Sequence, residues 1–341
     1  RFESRGLGDV YKRQVRGRQE GFRKQAGFSN APHAYWRAKM ARRSRKSRSD
    51  AAGQTTAPAS PFIKRSLPFF DILDEEKIEA LERQVDWLIE DVGIAFRDDP
   101  VALDLWRAEG ARLDGDIIRA PADWIRSLCA KAPSKFTQIA RNPERSVEIG
   151  GDNQVFAPIY GAPFVRDLEG GRRYGDIASF NDLVRLTYML PSLHHGGFVT
   201  CEPCDVPVNK RHLDMLLAHM TLSDKPHLGA ITEMSRAQDS VDMAEIVFGK
   251  EVMDANCVIM GNVNTNSPLL VDKVVTEAAR VYSSRGQGMV VVPFILSGAM
   301  GPVSTAASVA QAMAEAMMVC AYIQLLRPGT PFVLGNFLSS M

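Results

Sequence analysis

Residues 257–294 read CVIMGNVNTNSPLLVDKVVTEAARVYSSRGQGMVVVPF, and this stretch decides the fold. Cys257–Val263 is an apolar run that leads into a turn carrying Asn262, Asn264 and Asn266. Asp272–Ser284 then places apolar residues at helical spacing, and Met289–Phe294 is a second apolar run with a β-branched centre, Val290–Val292. Strand, helix and strand in that order make a βαβ unit, and a run apolar on both faces suits a parallel strand covered on both sides.

The same unit recurs on either side. Leu193–Val199 and His227–Ile231 read as earlier strands and Phe332–Leu334 as a later one. Helices are predicted over Ile177–Leu190 (capped by Asp176), Val208–Met220, Arg236–Phe248 and Val303–Leu326. Each strand exit turns polar: Cys201-Glu202, Thr232-Glu233, Asn262 with Asn264 and Asn266, Ser297, and Asn336. In a (β/α)₈ barrel such exits form the catalytic mouth. The expected fold class is therefore α/β, an incomplete TIM (β/α)₈ barrel of about five βα units. Five units do not close eight strands, so the chain reads as C-terminally truncated.

Upstream, Asp74 is placed to cap a helix with apolar residues at Ile78, Leu81, Val85, Leu88 and Val92, ended by Gly93. A helix over Val101–Glu109, an extended piece at Ile117–Ile118 and a helix after Pro121 follow. Strands are expected at Val147–Ile149 and Val155–Ile159, and a hairpin pairs Phe164–Arg166 with Arg172–Tyr174. Three regions result: a disordered basic head over 1–61, a helical and hairpin region over 62–175, and a partial barrel over 176–341. Within the head, residues 1–39 lack apolar periodicity, and Asp9–Gln14 (DVYKRQ) resembles a translated sequencing adaptor, so part of it reads as an artefact.

Composition narrows the function. The chain is 45% hydrophobic and 24% charged, ordinary for a globular protein. Residues 1–50 hold 15 Lys or Arg against 4 Asp or Glu, and the remainder 26 against 36, so the body is acidic. An acidic body argues against nucleic acid as a partner. No uninterrupted apolar run approaches the roughly 18 residues of a membrane span, and no apolar segment of a secretory signal follows the basic start. Cys129, Cys201, Cys204, Cys257 and Cys320 are too few for a disulfide framework, which points to the cytoplasm.

The strand exits supply the chemical candidates. Glu202 and Glu233, beyond neighbouring strands, suit an electrostatic partner for a cation or an acid/base pair. Asn262 and Asn264, two apart, would face one side and could hold a carboxylate, with Asn266 building the turn before Pro268. Tyr160, Phe164, Phe294, Phe332 and Phe337 offer aromatic faces that attract a quaternary ammonium. Asn336 joins the polar exits, and His195 is the strand histidine taken to reach a ligand. Cys201-Glu202-Pro203-Cys204 is a lone CxxC with His194, His195, His212, His219 and His227 near it in sequence, so a zinc-dependent barrel remains an alternative.

Several segments together resemble the trimethylamine methyltransferase (MttB) family: FTQIARNPER at 136–145, GGDNQVFAPIYGAPFVRD at 150–167, HHGGFVTCEPCDVPVNKRHLD at 194–214 and PFILSGAMGP at 293–302. The resemblance covers about 62–341 and points to the non-pyrrolysine, glycine betaine methyltransferase-like branch. It implies a (β/α)₈ barrel that moves a methyl group from a quaternary or tertiary amine to the cobalt of a separate corrinoid protein. It further implies no tightly bound cofactor or metal in this chain, a cobalamin acceptor on the partner, and no membrane partner. A homo-oligomer is compatible with it. A non-catalytic homologue that binds quaternary amines is the remaining alternative.

Overall fold

The structure is a computed structural model and describes residues 60–340. The basic head expected over 1–61 lies outside the described residues apart from Ser60 and Pro61.

The first half alternates short strands and helices. β1 (Ile63–Lys64) precedes α1 (Glu75–Trp87), which starts where the Asp74 side chain accepts the Lys77 N–H. Its end widens into a π-turn, Leu88–Val92, and stops at Gly93 with φ +83°. A side chain at Gly93 would strike Ile117 and Arg119 as well as strain the backbone. β2 (Ile94–Phe96), α2 (Pro100–Ala108), β3 (Arg112–Asp114), β4 (Ile117–Arg119) and α3 (Ala122–Cys129) follow. β5 (Lys135–Gln138), β6 (Val147–Gly150) and β7 (Asn153–Gln154) join β1 in an antiparallel sheet. The strand expected at Val155–Ile159 is irregular backbone. β8 (Phe164–Asp167) and β9 (Gly171–Tyr174) form the expected hairpin.

The second half carries the βα units. α4 (Ile177–Met189) begins at the Asp176 cap, and α5 (Arg211–Leu222) leads to β10 (His227–Gly229). α6 (Met234–Phe248) is broken at Gly249 from a short α7 (Lys250–Ala255) that the sequence reading did not anticipate. β11 (Ile259–Thr265), β12 (Leu270–Val271), α8 (Lys273–Ser284), β13 (Gly288–Ser297), α9 (Thr305–Leu326), β14 (Phe332–Leu334) and β15 (Phe337–Ser340) complete the order.

β10, β11, β13 and β14 lie side by side, all parallel, and β15 continues along β13 beyond β14. The architecture is thus mixed α/β with an open parallel sheet. It differs from the expected incomplete barrel in its first strand. Residues Leu193–Val199 are not a regular strand, although Gly196 N–H donates to Pro226 O and Gly197 O accepts from Leu228 N–H. Gly197 has φ +66°, which breaks the extended run while leaving it beside β10.

Register fixes which side chains share a face. Asn262 pairs with Val290 and Asn264 with Val292, while Phe294 pairs with Phe337. Paired residues of parallel strands point the same way, so Asn262, Asn264, Phe294 and Phe337 share one face. The opposite face packs on helices. There Tyr282 of α8 slides over Gly229 and Gly261 and donates its hydroxyl to Ala230 O at 2.9 Å. A methyl group at Gly261 would lie 2.9 Å from Met289 Sδ and Tyr282 Cε2, and one at Gly229 would collide with Tyr282 Oη.

β12 pairs parallel with β2, which ties the first half to the exit of β11. Phe96 meets Trp106 and Tyr322 edge-on at 5.7 and 5.8 Å, extending the tie to α9. α9 is long and apolar enough to cross a membrane by length and composition, a feature the search for an uninterrupted run passed over. Its most apolar window is 78% buried inside the protein, which makes it a core helix.

Candidate active site

The open face presents two stacked rings. Phe294 and Phe337 lie 4.8 Å apart, tilted by 15°, and are 38% and 56% exposed. Asn262 and Asn264 come off the neighbouring strand onto the same face. Asn262 Oδ1 is buried and has no hydrogen-bond partner among the described residues, and Asn264 is exposed. That oxygen is an acceptor the fold leaves unspent, free to take a hydrogen bond from something else. Asn336 sits exposed between β14 and β15.

A second group gathers around Glu202. Glu202 N–H donates to Ala162 O, and Gly161 N–H to Val199 O, so the segment bearing Tyr160 runs beside the one bearing Glu202. The Glu202 carboxylate accepts from Arg211 at 3.3 Å. Tyr160 leaves 45% of its surface to solvent, yet surrounding protein and then the Glu202 charge push its phenol up to about 12. A ligand would meet the open part of the ring. Glu233 sits at the N-cap of α6, largely exposed, and pairs with Arg236 at 2.8 Å.

His195 does not reach the open face. Its Nε2 lies 3.0 Å from Gln138 Oε1, and its Nδ1 accepts from Gly197 N–H at 2.9 Å. Both ring nitrogens are spent inside the protein, so the expected ligand contact is replaced by a core role. Gln138 in turn donates to His227 O and Val258 O, which knits the starts of β10 and β11 to β5. Burial, then the neighbouring His227 and His219, hold His195 neutral, with its pKa lowered to about 3. His219 is lowered to about 3 by burial and then His227, which stacks on it at 5.3 Å.

Phe164, one of the aromatic candidates, packs tilted against Tyr174 at 4.6 Å within the hairpin. Lys225, only 5% exposed, donates to Thr187 O, Leu190 O and Leu193 O and so caps the C-terminus of α4.

The CxxC does not assemble a zinc centre. Cys201 is buried, with its thiol pushed up to about 11 by that burial and then by Asp176, whereas Cys204 is exposed. No cluster of three or more His, Cys, Asp or Glu suited to a metal occurs among the described residues.

Sequence reading missed Glu315, which is fully buried on α9 and gathers four donors from around the exit of β11 and its own helix. The signal available was a lone acid in the Ala- and Met-rich helix.

The comparisons with known proteins agree on one family. The model of the trimethylamine methyltransferase family, MTTB, matches residues 39–341. The glycine betaine methyltransferase of Desulfitobacterium hafniense (strain Y51) is 34% identical over 271 residues, 79% of this chain and 56% of that protein. The proline betaine:corrinoid methyltransferase of Eubacterium limosum is 23% identical over 287 residues, 79% of this chain and 57% of that protein. The chain thus spans little more than half the length of these relatives. With the family match covering nearly the whole of it, this chain belongs to the trimethylamine methyltransferase family.

Proposed function

We propose that this protein transfers a methyl group from a quaternary amine of the betaine class to the cobalt of a partner corrinoid protein. The observation that carries the reading is the open face, where stacked rings stand on the same side as the Asn262 and Asn264 amides in a chain 34% identical to a glycine betaine methyltransferase. The parallel sheet is then one arc of a (β/α)₈ barrel and the open face is its interior, with residues 62–175 as a separate flanking region.

Each group has a physical role. A betaine carries a methylated ammonium and a carboxylate a few ångströms apart. Phe294, Phe337 and the Tyr160 ring attract the ammonium through their negative faces. Glu202 adds a charge partly screened by Arg211, and Glu233 a weaker one at the rim. The amide NH₂ groups of Asn262, Asn264 and Asn336 donate to the carboxylate without adding charge, a role separate from the unpartnered Asn262 Oδ1, which can only accept. The departing group is a neutral tertiary amine, so no acid has to protonate it. The residues need only hold one methyl in line with the acceptor and keep water away.

The test uses the full-length protein with reduced cob(I)alamin and glycine betaine, proline betaine, carnitine and trimethylamine, followed by absorbance of the methylated product. Turnover with a betaine supports the reading. Betaine binding without methylation of any corrinoid acceptor would favour a binding protein and sink it.

A further inference from the structure

α9 is built mainly of Ala, Met and other apolar residues, and its first half carries a polar stripe, Ser308, Gln311 and Glu315, that is buried rather than solvated. Glu315 is 0% exposed. A buried carboxylate is costly, and an apolar side chain of similar volume would pack the helix at lower cost. Its donors show what it holds. Glu315 Oε2 accepts from Thr265 Oγ1 at 2.5 Å and Ser267 Oγ at 2.7 Å. Oε1 accepts from Leu269 N–H at 2.8 Å and Gln311 Nε2 at 2.9 Å. Three of the four donors belong to the five residues that leave β11.

Those five residues do not take a low-energy path unaided. Leu269 has φ +54°, a left-handed conformation unfavourable to a leucine. Asn266 N–H closes the turn on Leu270 O, and the chain then enters β12. Thr265 points to α9 and its predecessor Asn264 to the open face, because successive strand residues alternate. Fixing Thr265 therefore fixes the direction of the Asn264 amide. The stripe also reaches the exit of β13: Gln311 Nε2 donates to Met300 O at 3.3 Å, and Ser308 Oγ to Pro302 O at 2.8 Å.

We infer that Glu315 is a positioning residue, which aims the Asn264 and Asn262 amides at the carboxylate of the bound amine while touching neither the amine nor the acceptor. This rests on the betaine reading above. It separates the two halves of the ligand: the amides serve the carboxylate and the rings serve the ammonium.

The experiment compares the full-length wild type with Glu315→Gln and Glu315→Leu, measuring Kd for glycine betaine and for tetramethylammonium, which has no carboxylate, and backbone amide exchange at residues 266, 267 and 269, since Pro268 has no N–H. Glu315→Gln keeps the volume and can accept from the two hydroxyls, but sets an NH₂ group against the Leu269 N–H. The expected result is a glycine betaine Kd raised about tenfold, the effect of one charge-assisted hydrogen bond. Tetramethylammonium affinity should hold to within about twofold, and exchange at 266, 267 and 269 should accelerate. Val241→Ala, a buried change on α6, lowers stability without shifting the ratio of the two affinities. Should the Glu315 variants not accumulate, Ser267→Ala removes one donor and shifts the ratio about threefold in the same direction. Both ligands weakening in step, or no change in either, overturns the inference while the betaine reading stands. A wild type that binds neither ligand overturns both.

Discussion

The two faces of the parallel sheet differ in what their polar groups are bonded to. On the covered face, the Tyr282 hydroxyl is donated to Ala230 O, and Thr265 and Ser267 are bonded to Glu315. On the open face, Asn262 Oδ1 has no partner among the described residues, and two phenyl rings lie partly bare. Buried polar groups are costly unless paired, so the covered face is organised for stability. An unspent acceptor beside partly exposed rings is available to a ligand, whereas a polar atom shut in the core, such as Trp106 Nε1, is not. Chemistry belongs where the polar inventory does not close, and substitutions on the two faces should fail in different ways.

The largest effect is expected where the covered face is tightest. Gly261→Val drives a branched side chain against Met289 Sδ and the Tyr282 ring, and should cost at least about 3 kcal/mol or prevent accumulation of folded protein. Gly229→Ala should be severe for a narrower reason, since its methyl group meets the Tyr282 hydroxyl. Tyr282→Phe alone leaves Ala230 O unpaired and costs about 1–2 kcal/mol. Combined with Gly229→Ala it should cost less than the two changes summed, as measured by urea unfolding. Additive costs would mean that the hydroxyl is not what excludes a side chain at Gly229.

Acid tests the same face. In the unfolded chain, His195 and His219 take up a proton near pH 6.5, whereas in the fold they do so only near pH 3, because burial disfavours the charged ring. Between those values the unfolded chain holds more protons, so stability falls as the pH drops and is fully present above about pH 7. Each histidine can contribute up to about 1.4 kcal/mol per pH unit, and His227, also lowered by burial, adds in the same direction. Unfolding free energies at pH 7.5, 6 and 5 should decline steadily, and His195→Gln should flatten the slope. A flat profile in the wild type would show that these rings titrate in the fold as they do in the unfolded chain.

These cases also mark what the sequence made legible. The caps Asp74 and Asp176 and the runs that became β10, β11 and β13 were readable because a cap or a strand is written in consecutive residues. The candidates of the open face could be named because alternation places Asn262 and Asn264 together whatever lies around them. The role of Glu315 was not readable, since its partners at Thr265, Ser267 and Leu269 lie 46 to 50 residues away. Nor was the choice for His195: either face of a strand was open to it, and Gln138 decided the matter from 57 residues upstream. The run Leu193–Val199 reads as a strand by composition, but its glycines let the backbone leave the extended region.

On the open face, Phe294→Ala and Phe337→Ala should leave the unfolding free energy within about 1 kcal/mol of wild type, because both rings are already partly solvated. Each should weaken quaternary-amine binding about tenfold, the loss of one cation–π face. Loss of stability without loss of binding would place the stacked pair among core residues and erase the contrast between the faces.

The smallest effect separates the two carboxylates. Glu233 is 59% exposed in its side chain and its ion pair with Arg236 is screened by water, so Glu233→Gln should alter stability by less than about 0.5 kcal/mol. Turnover of glycine betaine should also hold, because a charge facing solvent attracts a cation weakly. Glu202 is less open, at 35%, and its charge is felt by Tyr160, so Glu202→Gln should raise the betaine KM severalfold, a cost of about 1 kcal/mol. A Glu233→Gln variant that loses as much as Glu202→Gln would move the cation toward the N-terminus of α6, away from the Tyr160 ring.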